Sequence, residues 1–230
     1  MEEKSNRIQT SILNGVEKKI LTWLAAREPS WMTSDTLTFI GFIGAVVIAA
    51  GYILSNYSIH WLWLSSLGFV INWYGDSLDG TLARVRHTQR PVYGFYLDHT
   101  VDAINEVLMF VGIGLSSLMH LPIAMAALVV YLMLTLNVCV NAHLKGEFKL
   151  TYAGFGPTEL RIILILVNTL FILIKPLRMW SCSVGLLGWA VTLSALDLVG
   201  LTITILLVIV YFITIYKDAS WYAKADPPKK

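Results

Sequence analysis

The chain has 230 residues, 56 % of them hydrophobic and 14 % charged, with a mean hydropathy of +0.66 and a formal net charge of +2. An ordinary soluble domain carries about a quarter charged residues, so that class is excluded. The near-zero net charge gives no reason to expect a nucleic-acid partner, and two cysteines are too few for a disulfide framework.

Residues 1–35 are expected as a cytoplasmic segment. Within it, Ile8, Ile12, Val16, Ile20 and Leu24 recur every fourth position, with Glu17, Lys18 and Lys19 off the stripe. That pattern predicts an amphipathic helix over 8–26 lying on the membrane surface. Lys4, Arg7, Lys18, Lys19 and Arg27, scattered among acids, argue against a cleavable signal peptide. Pro29 stops the helix, and Ser34 or Asp35 can cap the next.

Apolar runs near the roughly 20 residues a helix needs to cross a bilayer then predict six spans. They cover 36–54, 61–80, 94–119, 121–143, 158–175 and 197–216. None alternates apolar with polar residues, as a barrel would. The expected fold class is an all-α integral membrane protein: a surface helix, a six-helix catalytic domain over 36–216 and a cytoplasmic tail over 217–230. With the N-terminus inside, fifteen of seventeen basic residues fall on or near the cytoplasmic side, and only Lys175 and Arg178 fall outside. Both termini are then cytoplasmic. The segment 179–196, "MWSCSVGLLGWAVTLSAL", reads as an interfacial or re-entrant hairpin with Trp180 and Trp189 at headgroup level, since a seventh span would put the Lys-rich tail outside. A compact chain without organelle signals fits a bacterial inner membrane.

The acids are unevenly placed. Asp76, Asp79, Asp98, Asp102 and Glu106 make up five of the fifteen, all within residues 75–106. Asp76 and Asp79 are three apart at the cytoplasmic end of the second span, and Asp98 and Asp102 are four apart near the start of the third. Each pair faces one way on a helix, and the short connection can bring the pairs together. Carboxylates at a bilayer edge need cations. Oxygen-only ligands suit Mg²⁺ or Mn²⁺, and four of them allow two ions. Gly80, Ala83 and Gly94 are small where a ligand could approach, and Arg84 offers a fork for phosphate oxygens. Together they predict a phosphate-ester or diphosphate site facing the cytoplasm.

"DSLDGTLAR" followed by "GFYLDHTVD" resembles the signature of the CDP-alcohol phosphotransferases, D-x-x-D-G-x-x-A-R-(x)8-G-x-x-x-D-x-x-x-D. All eight fixed residues are present, with nine rather than eight residues between Arg84 and Gly94. The resemblance implies a homodimer in which Asp76, Asp79, Asp98 and Asp102 bind two divalent ions. Asp79, Gly80, Ala83, Arg84 and Gly94 would seat the CDP moiety. A hydroxyl would displace CMP from a CDP-alcohol. His99 after Asp98, and Glu159 in "GFGPTELR", are similar to the choline/ethanolamine branch, in which a His–Glu pair could deprotonate a diradylglycerol hydroxyl. The alternative branch carries CDP on diacylglycerol, takes a small alcohol such as inositol, serine or glycerol phosphate, and makes Asp102 the candidate base.

Plainer readings stand beside these. His99 fits a satisfied interfacial residue, and Glu159 fits a helix cap. Glu106 fits a partner for Asn137 or Asn141 on a neighbouring span. Lys145 and Lys149 fit the positive-inside set. A divalent-cation transporter or channel, or an inert lipid-binding scaffold, would use the acids differently. In a channel, however, Arg84 would repel the cation.

Overall fold

A computed structural model of the chain describes residues 6–8, 13–145, 147–149, 156–186 and 189–228. Its helices are α1 (Asn14–Ala25), α2 (Ser34–Leu54), α3 (Leu62–Val85), α4 (Pro91–Gly114), α5 (Leu121–Lys145), α6 (Pro157–Leu173), α7 (Lys175–Met179) and α8 (Ala195–Ala225). Short strands β1 (Asn6–Ile8) and β2 (Glu147–Lys149) pair in parallel, and β3 (Ser181–Leu186) and β4 (Trp189–Ser194) form an antiparallel hairpin. The chain is thus largely helical, and the all-α expectation is corrected at these two places.

Among the described residues, three helices are long and apolar enough to cross a membrane by length and composition: Ser34–Leu54, Leu121–Leu144 and Ala195–Ala225. The chain is therefore membrane-associated. The remaining three long helices coincide with the other expected spans. Among them α3 carries Asp76, Asp79 and Arg84, and α6 has only 17 residues.

Capping decides several boundaries. Thr33 opens α2 by accepting from the Thr36 N–H at 3.1 Å. Pro157 begins α6, where its missing N–H costs no helical bond. At α8, Ser194 Oγ accepts from Asp197 N at 3.0 Å while Asp197 accepts from Ser194 N at 2.8 Å. The same carboxylate takes His120 N at 2.7 Å, pinning the α4–α5 turn to the start of α8. That turn ends α4 at Gly114 rather than 119. At the other end, α8 runs on to Ala225, well into the expected tail.

Helices α2 and α3 approach most closely where neither has a side chain to separate them. A Cβ on Gly75 would collide with the backbone of Gly41, and one on Gly44 would press into Asn72. The buried Asn72 amide donates to Gly41 O at 2.9 Å, so even the polar residue at this seam serves the contact. The seam carries Asp76 and Asp79 at one end. A second cluster, Leu21 and Ala25 with Leu37, Leu78 and Leu82, packs α1 against that same end.

The surface-helix expectation changes in detail. Ile8 lies in β1, residues 9–12 are outside the described residues, and the helix begins at Asn14. Its buried face holds Glu17, Leu21 and Ala25, whereas Val16, Ile20 and Trp23 of the outer face are exposed. The side chains of Lys145 and Lys149 also lie outside the described residues.

Candidate active site

Helices α3 and α4 bring three acids together. One carboxylate oxygen each from Asp76, Asp98 and Asp102 lies within 4.8 Å of the others, and all three residues are half-buried. Asp98 and Asp102 sit one turn apart on α4, so the helix itself aligns them. Asp79, expected beside them, lies one turn along α3 from Asp76 and is outside this three-residue group. Its Oδ2 accepts from Thr38 Oγ1 at 2.7 Å and its Oδ1 from Gly80 N at 2.5 Å. Ser34 Oγ donates to the Asp79 carbonyl at 2.9 Å. The first turns of α2 thus hold Asp79 in place.

A cation from a third helix faces the group. Arg161 of α6 donates to Asp76 Oδ2 at 2.5 Å, and these side chains are only 14 % and 19 % exposed. Arg161 also interacts by charge with Asp102. By sequence alone it counts only among the basic residues on or near the cytoplasmic side. The signal available was an arginine inside "PTELRIILIL", since a guanidinium so placed in an apolar helix needs a buried counter-charge.

Three carboxylates gathered this closely repel one another, and a bound cation would relieve that repulsion. The donors are all oxygen, the set that hard divalent ions take. The residues present therefore fit a divalent cation.

The flanking residues leave room for a ligand. A Cβ added at Gly94 would meet nothing within 4 Å, and one at Gly80 would meet only Arg84 Nη1 at 3.5 Å. Protein packing therefore does not require either glycine, in contrast to Gly41 and Gly75. Arg84 Nη2 donates to Thr81 Oγ1 at 2.9 Å, one turn back on α3, which orients its fork. Ala83, between these groups on α3, is half-buried. Arg86 is committed elsewhere, donating to the carbonyls of Glu28, Pro29 and Met32.

His99 and Glu159, expected as a pair, have structural partners. The His99 ring stacks on Phe95 with centroids 4.1 Å apart, and Nδ1 lies 2.8 Å from Phe95 O. A proton on Nδ1 would satisfy that carbonyl and leave Nε2 as the basic nitrogen. Glu159 spends Oε1 on Leu13 N at 3.0 Å and Oε2 on Gly156 N at 2.9 Å, capping α6 and tying it to the start of α1.

Glu106 continues the Asp98–Asp102 stripe on α4. Its Oε2 is buried without a hydrogen-bond partner among the described residues. The amides of Asn137 and Asn141 do not serve it. They donate to Asp218 Oδ2 of α8 at 3.2 and 2.8 Å, and Tyr222 completes that cluster through Asn141 Oδ1 at 2.9 Å.

Comparison with known proteins gives a concordant result. A family model described as CDP-alcohol phosphatidyltransferase matches residues 31–196, which contain every residue of the site. The chain is 36 % identical over 106 residues to the phosphatidylinositol phosphate synthase of Cutibacterium acnes, covering 43 % of this chain and 48 % of that protein. That match thus spans about half the length of the relative. Over 158 residues the chain is 28 % identical to the archaetidylinositol phosphate synthase of Pyrococcus horikoshii, covering 69 % and 78 %. It is also 24 % identical over 177 residues to cholinephosphotransferase 1 of Homo sapiens, covering 74 % and 43 %.

Proposed function

The chain belongs to the CDP-alcohol phosphatidyltransferase family, and from that premise we propose that it moves a phosphatidyl-type group from a CDP-linked lipid to a small polar alcohol. The general chemistry of the family is transfer from a CDP-alcohol to a hydroxyl, with CMP released. The observation that carries this reading is the meeting of Asp76, Asp98 and Asp102 beside Arg161, where cation, diphosphate and acceptor can share one polar point in an apolar molecule.

The preferred acceptor is a phosphorylated polyol such as an inositol phosphate. Relatives named phosphatidylinositol phosphate synthase and archaetidylinositol phosphate synthase support it, and so does an arginine at the acid cluster, whose fork suits a phosphate. This choice replaces the phosphocholine- or phosphoethanolamine-type transfer expected from His99 and Glu159. Glu159 already has two backbone donors, and His99 has a carbonyl and a stacked ring. The similarity to a cholinephosphotransferase keeps that reaction as the second reading.

Two Mg²⁺ or Mn²⁺ ions held by Asp76, Asp79, Asp98 and Asp102 would neutralise the diphosphate and stabilise the leaving phosphate. Gly80, Ala83 and Gly94 admit the CDP moiety against the helix backbones, and Arg84 meets its phosphate oxygens. Asp102 accepts the proton of the attacking hydroxyl as the new P–O bond forms and the bond to CMP breaks. His99 would act as base in the second reading.

Around this site we place six spans and a surface helix whose exposed Val16, Ile20 and Trp23 contact lipid. The catalytic domain covers 36–216, with 1–35 and 217–230 cytoplasmic. The protein works as a homodimer in a bacterial inner membrane, with the site open to the cytoplasm.

The test is a substrate matrix on the purified protein. CDP-diacylglycerol is paired with inositol phosphate, inositol, serine or glycerol phosphate, and CDP-choline or CDP-ethanolamine is paired with diacylglycerol. CMP and lipid product are measured with Mg²⁺ or Mn²⁺ present. Product from CDP-diacylglycerol supports the proposal. Product made only from CDP-choline or CDP-ethanolamine rejects it in favour of the second reading.

A further inference from the structure

Glu17 lies outside the family signature, in the first turn of α1, and is buried although charged, with 7 % of its surface exposed. A carboxylate held there must have donors, and it has two from different helices. Its Oε1 accepts from Trp73 Nε1 of α3 at 2.9 Å and from Thr158 Oγ1 of α6 at 2.6 Å. Hydrogen bonds to an ionised acceptor are short and strong, and this oxygen gathers both at one point.

The positions of the two donors give the contact its consequence. Trp73 is three residues before Asp76 on α3, and Thr158 is three residues before Arg161 on α6. Residues three apart on a helix are neighbours on one face. Glu17 therefore ties α3 to α6 one turn from the place where the same helices are joined by the Asp76–Arg161 ion pair. A second tie runs parallel to it, from Leu13 N beside α1 to Glu159 Oε1 of α6. Just beyond the end of α1, Glu28 Oε1 accepts from Tyr74 Oη of α3 at 2.5 Å. Leu21 and Ala25 bury the helix against α3 between these points.

We infer that Glu17 is a positioning residue: it clamps α3 to α6 through Trp73 and Thr158, and so sets how firmly Arg161 holds Asp76. The inference rests on the proposed role of the Asp76 group in holding a cation. Arg161 and a metal ion compete for the same carboxylate, so the clamp sets the affinity of the site from outside it. Groups that orient a ligand without touching the metal have such effects in other sites.

The test is Mn²⁺ titration of the purified protein in detergent, followed by electron paramagnetic resonance, which needs no turnover. Glu17→Leu and Thr158→Val are each made alone and in combination with Arg161→Gln. Loosening the clamp frees Asp76 from its competitor, so each single variant should lower the half-saturating Mn²⁺ concentration by about threefold or more. In the Arg161→Gln background the same changes should have almost no further effect, because the residue they act through is gone. Equal fold-changes in both backgrounds, or none in either, would overturn the inference. Should Glu17→Leu fail to give a monodisperse protein, Thr158→Val decides alone, since it keeps Glu17 bonded to Trp73. Failure of the unmodified protein to bind Mn²⁺ would reject the cation role of the acids and the inference with it. Binding with uncoupled variants would reject the inference alone.

Discussion

Arg161 of α6 donates to Asp76 of α3 across 2.5 Å, joining residues 85 positions apart at the centre of the acid cluster. Without it, three carboxylates in a half-buried site would lose a guanidinium that offsets their repulsion. Breaking a buried pair on one side leaves the other charge uncompensated, a cost of about 3–5 kcal/mol. Arg161→Gln should therefore lower the thermal midpoint of the metal-free protein, with part of the loss recovered on adding Mn²⁺. Arg161→Lys should recover only part of the wild-type CMP release, because an ammonium lacks the planar fork. Scanning fluorimetry with and without Mn²⁺, and a CMP assay, check both halves.

Removing a proposed metal ligand should be far more damaging to turnover than to folding. Asp98→Asn keeps the side-chain shape, and CMP release should fall on the order of 100-fold, as when a transition state loses one element of its charge stabilisation. A chelator should abolish the activity of the unmodified protein, and excess Mg²⁺ or Mn²⁺ should restore it. Unchanged activity in Asp98→Asn would sink the metal reading.

Gly94 separates ligand space from packing space. Nothing in the protein approaches the position a Cβ would take there, and the residue lies in the first turn of α4. Gly94→Ala should hold or raise stability, by up to about 1 kcal/mol, because alanine is the better helix former. If the CDP moiety uses that space, KM for the CDP-lipid rises while the melting midpoint does not fall. An unchanged KM would remove Gly94 from the substrate site.

Glu106 makes the opposite kind of prediction. Its buried Oε2 lacks a partner among the described residues, and such an atom costs about 1–3 kcal/mol. Glu106→Leu removes the orphaned oxygen at similar volume. The metal-free protein should then melt at a higher temperature, measured in the same detergent. A lower midpoint would mean that Glu106 is stabilised in a way the contacts do not show.

Much of the site was legible in the sequence because its spacing is local. Asp98 and Asp102 are one helical turn apart, Asp76 and Asp79 nearly so, and a short connection between α3 and α4 lets the two ends meet. Membership of an enzyme family sets aside the ion-pathway and inert-scaffold readings. The meeting of Asp76, Asp98 and Asp102 was legible in that spacing, and the surroundings of Asp79 were not. Asp79 belongs to the motif by spacing, but Thr38 and Gly80 draw its oxygens, and a hydroxyl 41 positions away leaves no local mark. The His99–Glu159 pairing came from motif likeness, whereas the caps and stacking that occupy both residues depend on backbone geometry.

The sequence by itself determined that the chain is helical and membrane-associated, where its acids cluster and which family signature they spell. Those properties follow from composition and from helical repeats of three and four residues. Only the tertiary structure decided that Arg161 lies beside the acids and that Glu17 joins α1 to both α3 and α6. It also turned Val16 and Ile20 outward while burying Glu17. A hydrogen-bond partner supplied by a distant helix has no periodic trace, since the meeting point depends on how the helices pack and not on the order of residues within either one.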